Sequence, residues 1–367
     1  MKSLYIHVPF CSAKCFYCSF AVVVGRETEA DEYIQCLEKE MFPYRGMIFS
    51  TVYVGGGTPG ILSGSQIARL FDMIRREFNI AKDAEITFEV NPENVNAEKM
   101  DILRRCGVNR LSVGLQSLDP RRLFYLGRKH TVEQSRAAIF TARKAGLKNI
   151  SVDWMFGFKD QTISELKLDA RRIIDLGAEH ISSYALSVEP NSLFSARRES
   201  SISADNFAEY YQAVTEHLEQ GGYQQYEISN YSRPGFQSRH NIQYWQCSDY
   251  IGLGMAAHSH IQGHRYWNHA RLGNYMAAVR KTGSGMEGEE HLENRLRFKE
   301  AFLVGLRMNG GIGIADYEKR FNERLSTEEK EKIDGLVRDG FLKYSNNSLS
   351  ATDKGRIVLD EICARLF

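Results

Sequence analysis

An alternation running through the first 190 residues constrains this chain more than any other feature. Apolar, β-branched runs recur at 4–8 ("LYIHV"), 51–57 ("TVYVGGG"), 85–90 ("EITFEV"), 110–115 ("RLSVGL"), 149–156 ("NISVDWMF") and 180–188 ("HISSYALSV"). The stretches between them carry apolar residues at helical spacing. Three of these helical stretches open with capping boxes, Ser63 with Gln66, Thr131 with Gln134 and Thr162 with Glu165. Gly107, Gly146 and Gly177 each follow a helical stretch and precede a strand, where an αL stop belongs. Strict strand–helix alternation predicts an α/β fold with a parallel sheet. The pattern admits either a partial barrel or an open doubly wound sheet. In both, ligands meet the sheet where strand C-termini run into the following loops.

Beyond about residue 222 the alternation stops. Residues 223–293 are rich in aromatics, glycine and histidine with little periodicity, and "KTGSGMEGEEHLEN" (280–293) reads as an exposed connector. The last stretch, 294–367, reads as three helices, a short hairpin (341–352) and a final helix, a small winged-helix-like α+β domain. The expected organisation is therefore a core at 1–222, an extension and connector at 223–293, and a C-terminal domain at 294–367.

Charge excludes one class of partner. The formal net charge is +1, and residues 295–367 carry 14 Lys+Arg against 12 Asp+Glu, so there is no basic excess of the kind nucleic-acid binders show. No apolar run reaches the ~20 residues a transmembrane helix needs. His7 and Pro9 interrupt the N-terminal apolar stretch, which argues against a signal peptide and for a cytoplasmic location. In that reducing setting the odd total of seven cysteines speaks against a disulfide framework.

Three of those cysteines stand together in "CSAKCFYCSF", spaced C-x3-C-x2-C just after the first strand. Structural zinc sites are usually closed by four ligands, commonly as two C-x2-C pairs, and no second pair exists here. A 4Fe–4S cluster held by Cys11, Cys15 and Cys18 alone would leave one iron without a protein ligand. Such a vacancy admits a substrate to the metal.

This spacing, with Tyr17 before the third cysteine and "VGGGTPG" (54–60) ending the second strand, resembles the radical S-adenosylmethionine (radical SAM) superfamily. The resemblance implies a partial (β/α)6 barrel whose open iron takes the amino and carboxylate groups of SAM. It also implies reductive cleavage of SAM to methionine and a 5′-deoxyadenosyl radical. Further stretches narrow it to the oxygen-independent coproporphyrinogen III dehydrogenases and the related heme chaperones of the HemW type: "FEVNPE" (88–93), "SVGLQS" (112–117), "LGRKHT" (126–131) and "YEISNYSRPGFQSRHNIQYW" (226–245). Carried over position by position, SAM contacts are expected from Tyr5, Gly56, Gly57, Thr58, Glu89, Gln116, Arg128 and Asp153. Acidic and amide groups suit ribose hydroxyls and a sulfonium, and Arg128 suits a carboxylate. No catalytic residue follows from the resemblance.

Two departures divide the relatives. The coproporphyrinogen enzymes carry a further cysteine where this chain has Phe20, and an N-terminal extension where ten residues precede Cys11. Both point to the chaperone branch, as does "HNIQYW" (240–245), which matches a motif that the branch associates with heme. The resemblance makes His240 the expected axial ligand, with Tyr244 and Trp245 as flat packing surfaces for a porphyrin. It implies a heme-acceptor protein and a low-potential electron donor such as flavodoxin or ferredoxin. The alternative is oxidative decarboxylation of coproporphyrinogen III propionates.

Overall fold

The structure, a computed structural model, describes residues 2–345 and 347–367. The early strands are β1 (Lys2–Val8), the two-residue pair β2 (Phe10–Cys11) and β3 (Val23–Val24), β4 (Ile48–Gly56), β5 (Asn79–Val90), β6 (Arg110–Gln116), β7 (Ile150–Phe156) and β8 (His180–Ala185). β9 (Gln224–Gln225), β10 (Asn230–Ser232), β11 (Tyr250–Leu253), β12 (His258–Ile261), β13 (His264–Asn268) and β14 (Met286–His291) follow. Twelve strands form one sheet in the order β14-β13-β12-β11-β1-β4-β5-β6-β7-β8-β10-β9. All six expected strands are present, adjacent in chain order and parallel. The sheet does not close on itself, so the partial barrel holds.

The predicted punctuation is realised. Ser63, Thr131 and Thr162 each accept the N3 backbone N–H while the N3 side chain returns the bond. Gly107, Gly146 and Gly177 all sit at positive φ. Helices Ala30–Met41, Gly64–Glu77, Ala97–Arg105, Val132–Lys144 and Ile163–Ile174 present apolar faces to one side of the sheet. Leu111, Val113, Val152 and Ile181 meet them and are fully buried. Because strand side chains alternate in direction, the intervening residues Ser112, Asp153 and Ser182 face the other way, into the barrel. The parity of each strand thus separates core from site.

The segment beyond 222 is more ordered than its composition suggests. β11 pairs in parallel with β1, and β12, β13 and β14 add an antiparallel extension. The stretch 286–291, expected to be a connector, is the outermost strand; it is exposed on nearly every residue, so its polar composition hid it. At the opposite edge β10 pairs antiparallel to β8, and β9 pairs antiparallel to β10.

The C-terminal unit has its own core, with Phe298, Phe302, Leu306, Ile333, Leu349 and Ile362 among its buried members. Its helices run Asn294–Gly305, Ile314–Phe321 and Thr327–Arg338, with two short ones at the end. β15 (Ile312–Gly313), β16 (Leu342–Ser345) and β17 (Ser348–Ala351) make its sheet, and the expected hairpin is the β16–β17 pair; Asn346 within it lies outside the described residues. This unit grips the preceding segment: Asn309 Nδ2 donates to the Gln225 carbonyl (2.7 Å), and Arg320 donates to the carbonyls of Gln246 (2.6 Å) and Cys247 (2.7 Å).

Candidate functional site

The barrel encloses a cavity of about 410 Å³ at the C-terminal ends of its strands. Cys11, Cys15, Cys18, Tyr17, Gly56, Gly57, Thr58, Glu89, Gln116, Arg128 and Asp153 all line it. Eleven positions scattered over 140 residues of sequence thus converge on one space.

The cysteine loop is held from both sides through Phe16. Its backbone N–H donates to the Leu126 carbonyl (3.0 Å), and its own carbonyl accepts from the Phe194 N–H (2.9 Å). The Phe16 ring packs into a small apolar cluster with Leu126, Met155 and Phe194, under the Arg197 guanidinium at 4.4 Å. This anchoring orients three thiols without covalent help. Cys11 Sγ lies 3.4 Å from the Thr58 hydroxyl, and Arg128 Nη1 donates to Cys15 Sγ at 3.4 Å.

The glycine segment is closely packed by its neighbours. A Cβ on Gly55 would meet the Tyr53 ring at 2.7 Å, one on Gly56 the His7 ring at 2.6 Å, and one on Gly57 the Pro9 carbonyl oxygen at 2.6 Å. Gly56 and Gly57 let β4 press against β1 and the start of the cysteine loop, and Gly55 leaves room for the Tyr53 ring and the Glu89 carboxyl. Gly56 also has φ +117°, which a Cβ would strain.

Two carboxyl groups dominate the electrostatics. Glu89 accepts from the Tyr53 hydroxyl (2.5 Å) and the Gly56 N–H (3.2 Å), and burial pushes it up to about 7, with neighbouring Asp153 adding to the shift. Burial likewise raises Asp153 to about 6, against the pull of Arg110 and Arg128; its nearest hydrogen-bond partner, the Ser112 hydroxyl, is 3.4 Å away. Arg128 Nη2 donates to Asn91 Oδ1 (2.7 Å) and the Gly114 carbonyl (2.6 Å), while its buried Nε has no partner. Gln116 sits at φ +66°, where the β6–β7 register breaks. An αL glutamine is strained, and such strain concentrates where a side chain must be aimed.

These residues fit a 4Fe–4S cluster with SAM. Three soft donors face one space, and burial holds the Cys11 thiol up at about 11 and raises that of Cys18, so metal must displace protons to bind there. Among the described residues neither carboxyl forms a direct ion pair, Arg110 and Arg128 acting on Asp153 only from a distance, so a sulfonium would suit the pair.

Four of the expected residues do not line the cavity. Tyr5 does not line the cavity; its hydroxyl bonds His7 Nδ1 at 3.0 Å. His240, Tyr244 and Trp245 also lie outside it, on helix Arg239–Trp245 beneath β4. Glu85 accepts the first two N–H groups of that helix, from Arg239 (3.0 Å) and His240 (2.9 Å). His240 is 1% exposed, with Nδ1 bonded to Thr51 Oγ1 (2.8 Å) and Nε2 to the Tyr244 hydroxyl (3.0 Å). Both nitrogens are engaged in hydrogen bonds in this arrangement, so the expected role as an axial ligand would need one of those bonds to be released. Burial drives its pKa down to about 3, so it is neutral. Its ring instead backs Tyr53 at 5.0 Å, and the next residue, Asn241, faces the cavity. Trp245 lies under the Arg307 guanidinium at 5.2 Å, at the junction with the C-terminal unit. Tyr53, Arg110, Ser112 and Tyr184 line the cavity without having been singled out from the sequence; the signal that could have found them is strand parity.

Comparison with known proteins agrees with this geometry. Residues 5–173 match the radical SAM superfamily, and residues 292–358 match the HemN C-terminal domain. The chain is similar in structure to a coproporphyrinogen III oxidase (HemN) from Escherichia coli, described as a radical SAM enzyme: TM-score 0.86, 26% identity, covering 99% of this chain and 89% of that one. In sequence it is 36% identical to the heme chaperone HemW of Escherichia coli (strain K12) over 375 residues, 98% of this chain and 96% of the relative. It is 33% identical to the heme chaperone HemW of Bacillus subtilis (strain 168) over 371 residues, 99% of this chain and 98% of the relative. Likeness of this extent over nearly the whole of both chains makes this protein a member of the heme chaperone HemW family, within the radical SAM superfamily.

Proposed function

We propose that this chain is a radical SAM-type 4Fe–4S protein that binds heme and hands it to an acceptor protein in the cytoplasm. The observation that carries the reading is the convergence of the three cysteines with the carboxyl, amide and guanidinium groups on one cavity, in a chain whose full-length relatives are heme chaperones. Cys11, Cys15 and Cys18 would hold the cluster, and Glu89, Gln116, Arg128 and Asp153 would hold SAM. Once bound and reduced by a low-potential donor, these groups supply one-electron chemistry. The protein's own part is to aim Arg128, keep the carboxyl pair dry and enclose the cavity.

Phe20 supports the chaperone reading. It occupies the position of the extra cysteine at the rim of the cavity and is 68% exposed. With Val22 and Tyr184 on the same rim it offers an apolar surface that a porphyrin face can cover. The division into a core at 1–222, an extension at 223–293 and a C-terminal unit at 294–367 belongs to the same proposal, the last bracing the "HNIQYW" helix. Coproporphyrinogen III dehydrogenation is the second reading, favoured by the similarity to the Escherichia coli oxidase.

One experiment separates them. Anaerobically reconstituted protein, given SAM, reductant and coproporphyrinogen III, is expected to yield no protoporphyrinogen, while heme titration produces a saturable Soret band. Multiple turnovers in the first assay would overthrow the chaperone reading.

A further inference from the structure

A second group of metal-capable side chains lies outside the cavity, on the antiparallel extension. His264 of β13 and His291 of β14 are directly opposed in register, and Glu289 stands two residues before His291 on the same face. The two imidazoles stack with centroids 4.2 Å apart and an interplanar angle of 6°. Glu289 Oε2 lies 2.7 Å from His264 Nε2. One donor atom from each of the three falls within 4.8 Å of the others, and no other group of His, Cys, Asp and Glu among the described residues meets that condition.

The hydrogen bond between His264 and Glu289 accounts for two of these residues and leaves His291 unexplained, since it makes no side-chain hydrogen bond to the described residues. Two imidazoles and a carboxylate are a donor set that suits zinc and its first-row neighbours. Bonds of ~2.0–2.1 Å around a tetrahedral ion put donors roughly 3.3 Å apart, so closure needs side-chain shifts of about 1 Å. The half-exposed rotamers of His264 and Glu289 permit such shifts. The strand beneath is held firmly: Tyr266 packs on His264 and bonds Tyr44 through its hydroxyl (2.9 Å), and Arg265 pairs with Glu290 and Glu300. Three protein donors leave one coordination position for water or an incoming ligand.

We propose that His264, Glu289 and His291 bind a divalent first-row transition ion, Zn²⁺ in kind, at the edge of the sheet and independently of the cysteine site. The test uses full-length protein carrying its reconstituted cluster, under anaerobic and metal-free conditions, titrated calorimetrically with Zn²⁺. One equivalent is expected to bind, and Co²⁺ in its place should give a visible ligand-field spectrum. His264→Ala and His291→Ala should each weaken Zn²⁺ binding at least roughly tenfold, and Glu289→Gln should weaken it less. Zn²⁺ should raise the thermal midpoint of the parent and not that of the double histidine variant, whose folding far-UV circular dichroism checks. Undiminished Zn²⁺ binding by His264→Ala/His291→Ala overturns the proposal, as does the absence of a bound equivalent in the parent.

Discussion

Glu89 and Asp153 hold protons more tightly than carboxyls in water because the barrel removes them from solvent. A cationic ligand favours their ionised forms, so SAM should bind best above pH about 7 and progressively more weakly as pH falls through about 7 and then about 6. Calorimetry across that range checks this, and Glu89→Gln should remove the upper part of the dependence. Without ligand the sign reverses for stability. The fold binds more protons than the unfolded chain from the ordinary carboxylate range up to these raised values, so the two groups lower stability as pH rises through that window. The thiols act as a set: Cys15→Ala should abolish the cluster's visible absorbance and its SAM-responsive EPR signal. A SAM-responsive cluster retained by that variant would remove the basis of the site.

At the scale of elements, β6 and helix Arg239–Trp245 carry the argument. Gln116 ends β6 at φ +66°, a cost of roughly 1 kcal/mol that glycine does not incur. Gln116→Gly is therefore expected to stabilise the ligand-free protein by up to about 1 kcal/mol while weakening SAM binding, a divergence that thermal unfolding and calorimetry read separately. The helix bears on the site from below. His240→Ala would leave the Tyr244 hydroxyl without this partner, reduce the Thr51 hydroxyl to its bond with Ser3 and open a cavity against Tyr53, costing roughly 3 kcal/mol. The same variant should loosen the Tyr53–Glu89 bond and reduce SAM affinity; unchanged stability and SAM affinity would show that the ring does not brace the site.

Over the whole molecule, the C-terminal unit and the barrel meet at the "HNIQYW" segment. Arg320 ties down the carbonyls just after Trp245, and Arg307 covers the indole. Arg307→Ala/Arg320→Ala should therefore loosen the helix that backs Tyr53 and lower SAM affinity while leaving cluster content intact, a split that SAM calorimetry and iron analysis resolve. Loss of both together would make the contact a general folding contact rather than a brace for one segment.

The architecture was legible in residue order because its signals are local. Capping boxes, αL glycines and β-branched runs act over a few residues, so the six parallel strands and their helices could be drawn directly from them. The cysteine spacing was legible for the same reason, since the eight consecutive residues 11–18 frame one cluster. Convergence was not local: nothing near Asp153 states that it will face Cys15, and only curvature of the sheet brings the inward parity of five strands together. Tyr53 and Arg110 escaped notice because each reads as an ordinary strand residue until its neighbours are in place. His240 is the sharpest case. A histidine beside two aromatics has the composition of a ligand, but burial and two hydrogen bonds spend both its nitrogens inside the protein. Edge strand β14 was hidden in turn by exposure, because a strand covered on neither face carries no alternation to read. Residue order named the chemistry this chain can hold, and packing, through which groups it buries and pairs, settled which of those residues stay open to use it.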